Sequence, residues 1–311
     1  MKRPFGKLWL DTFFPRKTMN KLPNQDLVGK TVIVTGGTDG MGRVAVERFA
    51  EMGADICLFG RSLKKTQGVV DELRTMGHTG QFSIVECDIG DLDQVRRAAD
   101  EVLVQYRKID ILINCAGINL SERILSSHGH EMNFVINYLG PFLLTELLLE
   151  RIRTTSEARI VHLTSATQKV AKLRFDDLHF ERNAWSMLAS YAQAKLCVIM
   201  HGLDLAERLM GSTVTIHCLN PGYIRTNLMR YSKGFERMFD RIFGGRAAPT
   251  WVGGERIVYV ALDSQYREIS GKYIYEDMLL DPNPLAMNEG NVARLMTLSQ
   301  QMTGLTDTKV V

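Results

Sequence analysis

The chain has 311 residues, 45% hydrophobic and 23% charged, with 26 Gly and 8 Pro. That balance excludes a disordered chain, a collagen-like repeat and a disulfide scaffold. Lys and Arg number 38 against 35 Asp and Glu, a net charge of +3, so no overall attraction to nucleic acid is expected. No run approaches the roughly 18 apolar residues that a membrane-spanning helix needs. Phe142–Leu149 is the most apolar stretch, interrupted by Thr145 and Glu146, and the chain reads as soluble or peripheral.

The elements alternate. Thr31–Thr35 (TVIVT) reads as a buried strand, followed by a helix from about Met41 to Met52. Ile56–Phe59 is a second strand with a helix over Leu63–Met76, and Phe82–Val85 a third, with a helix capped by Asp91 and running to about Tyr106. Ile111–Ile113 and Ile160–Leu163 continue the series with a long helix between them; Val214–Cys218 and Tyr273–Tyr275 end it. Strands separated by helical stretches imply βαβ crossovers. The expected fold is therefore a single α/β domain from about Asp26 onward, a doubly wound parallel sheet with helices on both faces.

Residues 1–25 do not fit this alternation. They are punctuated by Pro4, Pro15 and Pro23 and carry Phe5, Trp9, Phe13 and Phe14; residues 1–30 hold a net charge of +5. Such a basic, aromatic extension has two readings: peripheral contact with an anionic membrane surface, or an arm packed back on the domain. The five cysteines, Cys57, Cys87, Cys115, Cys197 and Cys218, form no C-x-x-C pair and sit among apolar residues. They read as reduced, buried thiols of a cytoplasmic protein. None of the seven histidines stands in a metal-binding pattern, and His128 and His130 read as part of a cap region, so no metal is expected.

The first strand runs into Gly36-Gly37-Thr38-Asp39-Gly40-Met41-Gly42 and then a helix. Glycines at a strand-to-helix turn let the backbone approach a pyrophosphate, and the helix N-terminus favours its charge. This is the expected dinucleotide site of a Rossmann-type fold. Where an NAD-preferring chain carries an acid at the end of the second strand, this one reads Phe59-Gly60-Arg61-Ser62. Arg61 is placed to pair a 2′-phosphate, with Arg43 as a second cation, so NADP(H) is the expected cofactor.

Seven motifs then stand in order: TGGTDGMG at 35–42, Cys87-Asp88-Ile89, Asn114-Cys115-Ala116-Gly117, Asn137 in INYLG, Ser165 in VHLTS, Tyr191-Ala192-Gln193-Ala194-Lys195, and Pro221-Gly222. Together they resemble the short-chain dehydrogenase/reductase family, from about residue 27 to near the C-terminus. INYLGPFLLTELLL, the 26-residue gap from Ser165 to Tyr191 and the segment FDDLHFERN are similar to its retinol-dehydrogenase-like branch. The resemblance implies an oxidoreductase interconverting an alcohol and a carbonyl. Tyr191 would be the acid/base, its high pKa lowered by the ammonium of Lys195 one helical turn away. By resemblance, Lys195 also bonds the nicotinamide ribose, Ser165 the substrate oxygen, and Asn137 shapes its helix to hold a water in a proton relay. Thr164 competes with Ser165, and Asn133 with Asn137, for these roles. Asp88 and Ile89 are implied at the adenine, Asn114, Ala116 and Gly117 along the cofactor, and Pro221, Gly222, Ile224 and Thr226 at the nicotinamide.

The stretch at about 226–250 is the expected substrate-covering segment. Phe235, Met238, Phe239, Ile242 and Phe243 make an apolar helical stripe, and residues 228–246 carry net +3. The stripe suits a small lipophilic substrate, retinoid-, steroid- or long-chain-like, and with residues 1–25 offers a second basic face to a membrane. The family also implies a homodimer through the long helices. The competing class is a non-catalytic NADP-binding regulatory protein, against which intact Ser165, Tyr191 and Lys195 speak.

Overall fold

A computed structural model describes residues 25–226 and 244–305. The basic extension over 1–24, the apolar stripe of the covering segment and the last six residues lie outside the described residues. Strands β1 (Thr31–Thr35), β2 (Asp55–Gly60), β3 (Phe82–Glu86), β4 (Ile111–Asn114), β5 (Arg159–Leu163), β6 (Thr215–Asn220) and β7 (Lys272–Tyr275) are joined by β8 (Met278–Leu280). They form one sheet in the order β3-β2-β1-β4-β5-β6-β7-β8. Neighbours are parallel, with Val32 opposite both Ile56 and Ile111, except that β8 runs antiparallel to β7. That hairpin corrects the expectation that Tyr273–Tyr275 ends the series.

The pleat sorts alternate residues to opposite faces. Val32, Val34, Ile56 and Leu58 pack under α1 (Gly40–Glu51), α2 (Leu63–Thr75) and α6 (Thr250–Leu262). Ile33, Cys57, Phe59 and Leu112 pack under α3 (Leu92–Gln105), α4 (Met132–Arg153) and α5 (Met187–Arg208). Each such side chain fully buried contributes about 1.5–3 kcal/mol. Caps set the helix starts: Asp39, Ser62, Asp91 and Ser186 accept backbone N–H groups of α1, α2, α3 and α5.

By length and hydropathy α4 is long and apolar enough to cross a membrane, which corrects the expectation that no run approaches that length; yet 78% of its apolar window is buried inside this protein. It is a core helix. On α5 every residue from Ser190 to Gly202 is buried. Part of that cover is α7 (Glu289–Thr303), a helix not anticipated from the sequence, whose Leu295 and Met296 join the same core. Its Ser299 hydroxyl meets the buried Tyr138 hydroxyl of α4 at 2.6 Å.

Candidate active site

Winding reverses between β1 and β4, and the crevice at the carboxyl ends of these strands is where an open α/β sheet takes a ligand. A cleft of about 460 Å³ lies there. The glycine turn forms its floor because nothing larger fits. Gly36 has φ +72°, and a Cβ on it would stand 2.8 Å from Ala116; a Cβ on Gly42 would stand 2.3 Å from the Gly36 carbonyl oxygen. The Thr35 hydroxyl accepts from the Cys115 and Ala116 N–H groups at 3.1 and 3.2 Å, fastening β1 to the segment after β4. A dinucleotide fits this cradle: a close backbone turn at a helix N-terminus, walled by Phe59 to Ser62 on one side and Cys87 to Ile89 on another.

Of the expected cofactor residues, Gly36, Thr38, Asp39, Gly40, Met41, Gly42, Arg61, Asp88, Ile89, Ala116, Gly117, Tyr191, Lys195 and Thr226 all line the cleft. Asn114, Pro221, Gly222 and Ile224 are not among the residues that line it, though Thr226 at the end of the same segment is. The Asn114 amide is buried, donating to the Thr145 hydroxyl at 2.9 Å and lying 3.0 Å from His162 Nδ1. Ser62, Lys65 and Thr66 also line the cleft and were missed; the signal for them is the Ser62 cap directly after Arg61. Arg43, expected as a second cation, pairs with Glu72 at 3.0 Å and Glu47 at 3.5 Å and lines a neighbouring depression together with Asp39, Ser62 and Lys65. Lys65 stands closer to the cleft, 3.5 Å from Asp39. Cys115 is only partly buried and, with Cys87, borders the cleft, which corrects the reading of five sequestered thiols.

At the inner end, α5 brings Tyr191 and Lys195 to the cleft on successive turns, and both are buried. Burial pushes the Tyr191 phenol above the usual tyrosine range, and the neighbouring Ser165 hydroxyl draws it down. Lys195 Nζ lies 5.6 Å from the Tyr191 ring centre and donates to the Leu163 carbonyl at 2.9 Å. Burial holds the Lys195 ammonium down at about 8. The expected lowering of the phenol by the ammonium is thus replaced, in this arrangement, by burial acting on both groups in opposite directions.

Two sequence alternatives separate on partners. Thr164 lines the cleft, and its hydroxyl donates to the Lys195 carbonyl at 2.9 Å and so staples β5 to α5; the Ser165 hydroxyl accepts from the Thr167 N–H at 3.3 Å and acts on the Tyr191 phenol. Asn133 spans Leu120 and Ser190. Asn137 lies in a π-helical turn, Val135–Leu139, with its side chain accepting from the Ile118 N–H and donating to the Ile118 and Asn133 carbonyls. Gly117 runs between Asn137 and Lys195: a Cβ there would stand 3.1 Å from Asn137 Oδ1 and 3.8 Å from Lys195 Nζ. His130 faces His179 at 3.0 Å, and no group of metal-binding side chains occurs among the described residues.

A family model described as short chain dehydrogenase matches residues 30–236. Retinol dehydrogenase 13 of Homo sapiens is 31% identical over 284 residues, covering 89% of this chain and 85% of that protein. Retinol dehydrogenase 12 of Bos taurus is 30% identical over 279 residues, covering 90% and 88%. Among solved structures, an uncharacterised Mycobacterium paratuberculosis protein superposes with a TM-score of 0.73 at 26% identity, covering 90% of this chain and 95% of that one. A Burkholderia cenocepacia short chain dehydrogenase in complex with NADP gives 0.64 at 23% identity, over 81% and 98%. The ordered motifs, the switch-point cleft and these likenesses agree: the chain belongs to the short-chain dehydrogenase family, in its retinol-dehydrogenase-like branch, and is an oxidoreductase.

Proposed function

We propose that the protein is an NADP(H)-dependent oxidoreductase that interconverts an alcohol and a carbonyl on a lipophilic substrate of retinoid, steroid or long-chain type. The observation that carries this reading is the buried Tyr191 phenol, one helical turn from Lys195, at the inner end of a cleft floored by the glycine turn. A bound nicotinamide supplies or accepts the hydride. The chain's own groups handle the proton: Tyr191 gives it to the developing alkoxide, or removes it in the reverse direction, and Ser165 holds the substrate oxygen. Lys195 sits behind Tyr191 with its charge available to favour tyrosinate as the proton leaves, and Asn137 braces the backbone at Ile118 beside it.

The phosphorylated cofactor is supported by Arg61 and Lys65 on the cleft wall, where no carboxylate ends β2. The lipophilic substrate is supported by relatives named for retinol and by the apolar covering segment. The test is NADPH oxidation across aldehydes, ketones and retinaldehyde, with NADH in parallel. Turnover on apolar carbonyls is expected. Tight NADPH binding without oxidation on any of them would favour a regulatory nucleotide binder. Arg61→Ala is expected to weaken NADPH about tenfold while leaving NADH nearly unchanged; an equal loss for both would refute the 2′-phosphate assignment.

A further inference from the structure

Pro221 and Gly222 leave β6 and lead to Thr226, which touches the glycine turn: a Cβ on Gly40 would stand 3.7 Å from the Thr226 methyl. Beneath this turn lies an ion pair that the mechanism does not use. Arg256 of α6 and Glu276 after β7 are 1% and 2% exposed, with Nη1 and Oε1 3.3 Å apart. The same Nη1 donates to the Pro221 carbonyl at 2.5 Å. Gly222 has φ +81°, and a Cβ on it would stand 2.8 Å from Glu276 Oε1 and 3.1 Å from Arg256 Nη1. The pair therefore presses directly against the turn.

A buried ion pair is poor at raising stability, since desolvation offsets its attraction, but it holds geometry. Here it ties three parts of the chain. Glu276 Cα is itself in the left-handed region at φ +60°, and its N–H donates to the Asn220 carbonyl at 2.8 Å. Asn220 in turn accepts from the Gly222 N–H at 3.1 Å. Helix α6 is pressed on α1: a Cβ on Gly253 would stand 3.1 Å from Met41, and one on Gly254 2.4 Å from Val44. Farther along, Ile224 pairs with Ala248, and the Arg225 N–H donates to the Ala248 carbonyl at 2.9 Å.

We propose that Arg256 and Glu276 are positioning residues: their buried pair sets the turn at Pro221–Gly222 so that the chain to Thr226 forms the nicotinamide side of the cleft, while the adenine side is built independently by α1 and β2. The inference rests on the proposed oxidoreductase reading and on the nicotinamide lying against Pro221 to Thr226, as the family resemblance implies. The double variant Arg256→Met with Glu276→Gln removes both charges and avoids leaving one buried alone. Three quantities are measured on it and on the parent: melting temperature, affinity for ADP-ribose, and affinity for whichever of NADPH and NADH the parent binds better.

Melting near the parent's temperature, unchanged ADP-ribose affinity and dinucleotide affinity down about tenfold or more, with kcat falling, is the expected result. Unchanged dinucleotide affinity and kcat would overturn it. So would a proportional loss of ADP-ribose and dinucleotide, which is what a pair holding only the general fold would give. Should the double variant not fold, Arg256→Lys, which keeps the charge but shortens the reach, is compared in the same way. A parent that binds dinucleotide more tightly than ADP-ribose yet reduces no carbonyl would sink the oxidoreductase reading and leave the binding comparison intact.

Discussion

Tyr191 and Lys195 are four residues apart on one helix, and burial moves them in opposite senses: the phenol upward, the ammonium down to about 8. Tyr191→Phe keeps the ring and its packing but removes the proton, so turnover is expected to fall about 10²–10⁴-fold with dinucleotide affinity unchanged, as read by steady-state rates beside fluorescence titration. Lys195 has a stability consequence. Its native pKa lies below the ordinary 10.5, so the unfolded chain binds the extra proton between about pH 8 and 10.5. The native state therefore bears the full desolvation penalty below pH 8 and loses it as pH rises through that window. Lys195→Met is expected to raise unfolding free energy at pH 7 by ~1–3 kcal/mol, a gain that shrinks in denaturant titrations at pH 9 and 10. The family's motifs singled out Ser165, Tyr191 and Lys195, and the fold brings Tyr191 and Lys195 together at the cleft. That Thr164 staples α5 while Ser165 caps the turn that follows was not legible, since two adjacent hydroxyls differ only in which way the strand end points them.

At the scale of elements, the strand-turn-helix at residues 31–51 was readable because turn glycines and helix periodicity are local, while the Asp39 cap came from the structure. Gly42→Ala tests how tightly that unit is built. Its Cβ would stand 2.3 Å from a backbone oxygen that cannot swing aside, so the expected cost is about 1–3 kcal/mol in chemical denaturation together with a marked loss of dinucleotide affinity. The π turn at Val135–Leu139 shows the opposite case. Asn137 supplies hydrogen bonds from that turn to Ile118, some twenty residues upstream. A partner that distant in sequence leaves no periodic trace, so only a family likeness singled Asn137 out. The hairpin of β7 and β8 was missed for a related reason: Met278–Leu280 is three residues long, too short to show alternation.

For the whole molecule, the C-terminal helix alters what the long helices present to solvent. From Ser190 to Gly202, α5 is buried by its own chain, and α7 covers part of α4 through Ser299 and Tyr138. A pairing of two copies through the stretches that α7 covers would have to displace it. Light scattering on the full chain is therefore expected to give the monomer mass, and cross-links between α4 and α5 of two copies are expected to be absent; a stable dimer cross-linked there would contradict the packing. The sequence alone determined the alternating strands and helices, the parallel direction of the sheet's main body and the glycine cradle, because each is written in local spacing and side-chain chemistry; Ser165, Tyr191 and Lys195 were singled out by the family resemblance. Only the tertiary structure decided that Arg43 pairs with Glu47 and Glu72, that Lys65 stands at the cleft, that α4 is a core helix, and that Arg256 and Glu276 meet under Pro221. Those outcomes depend on which distant segments come to share a low-dielectric interior, where a charge must find a partner and an apolar face must be covered, and no local pattern encodes that pairing.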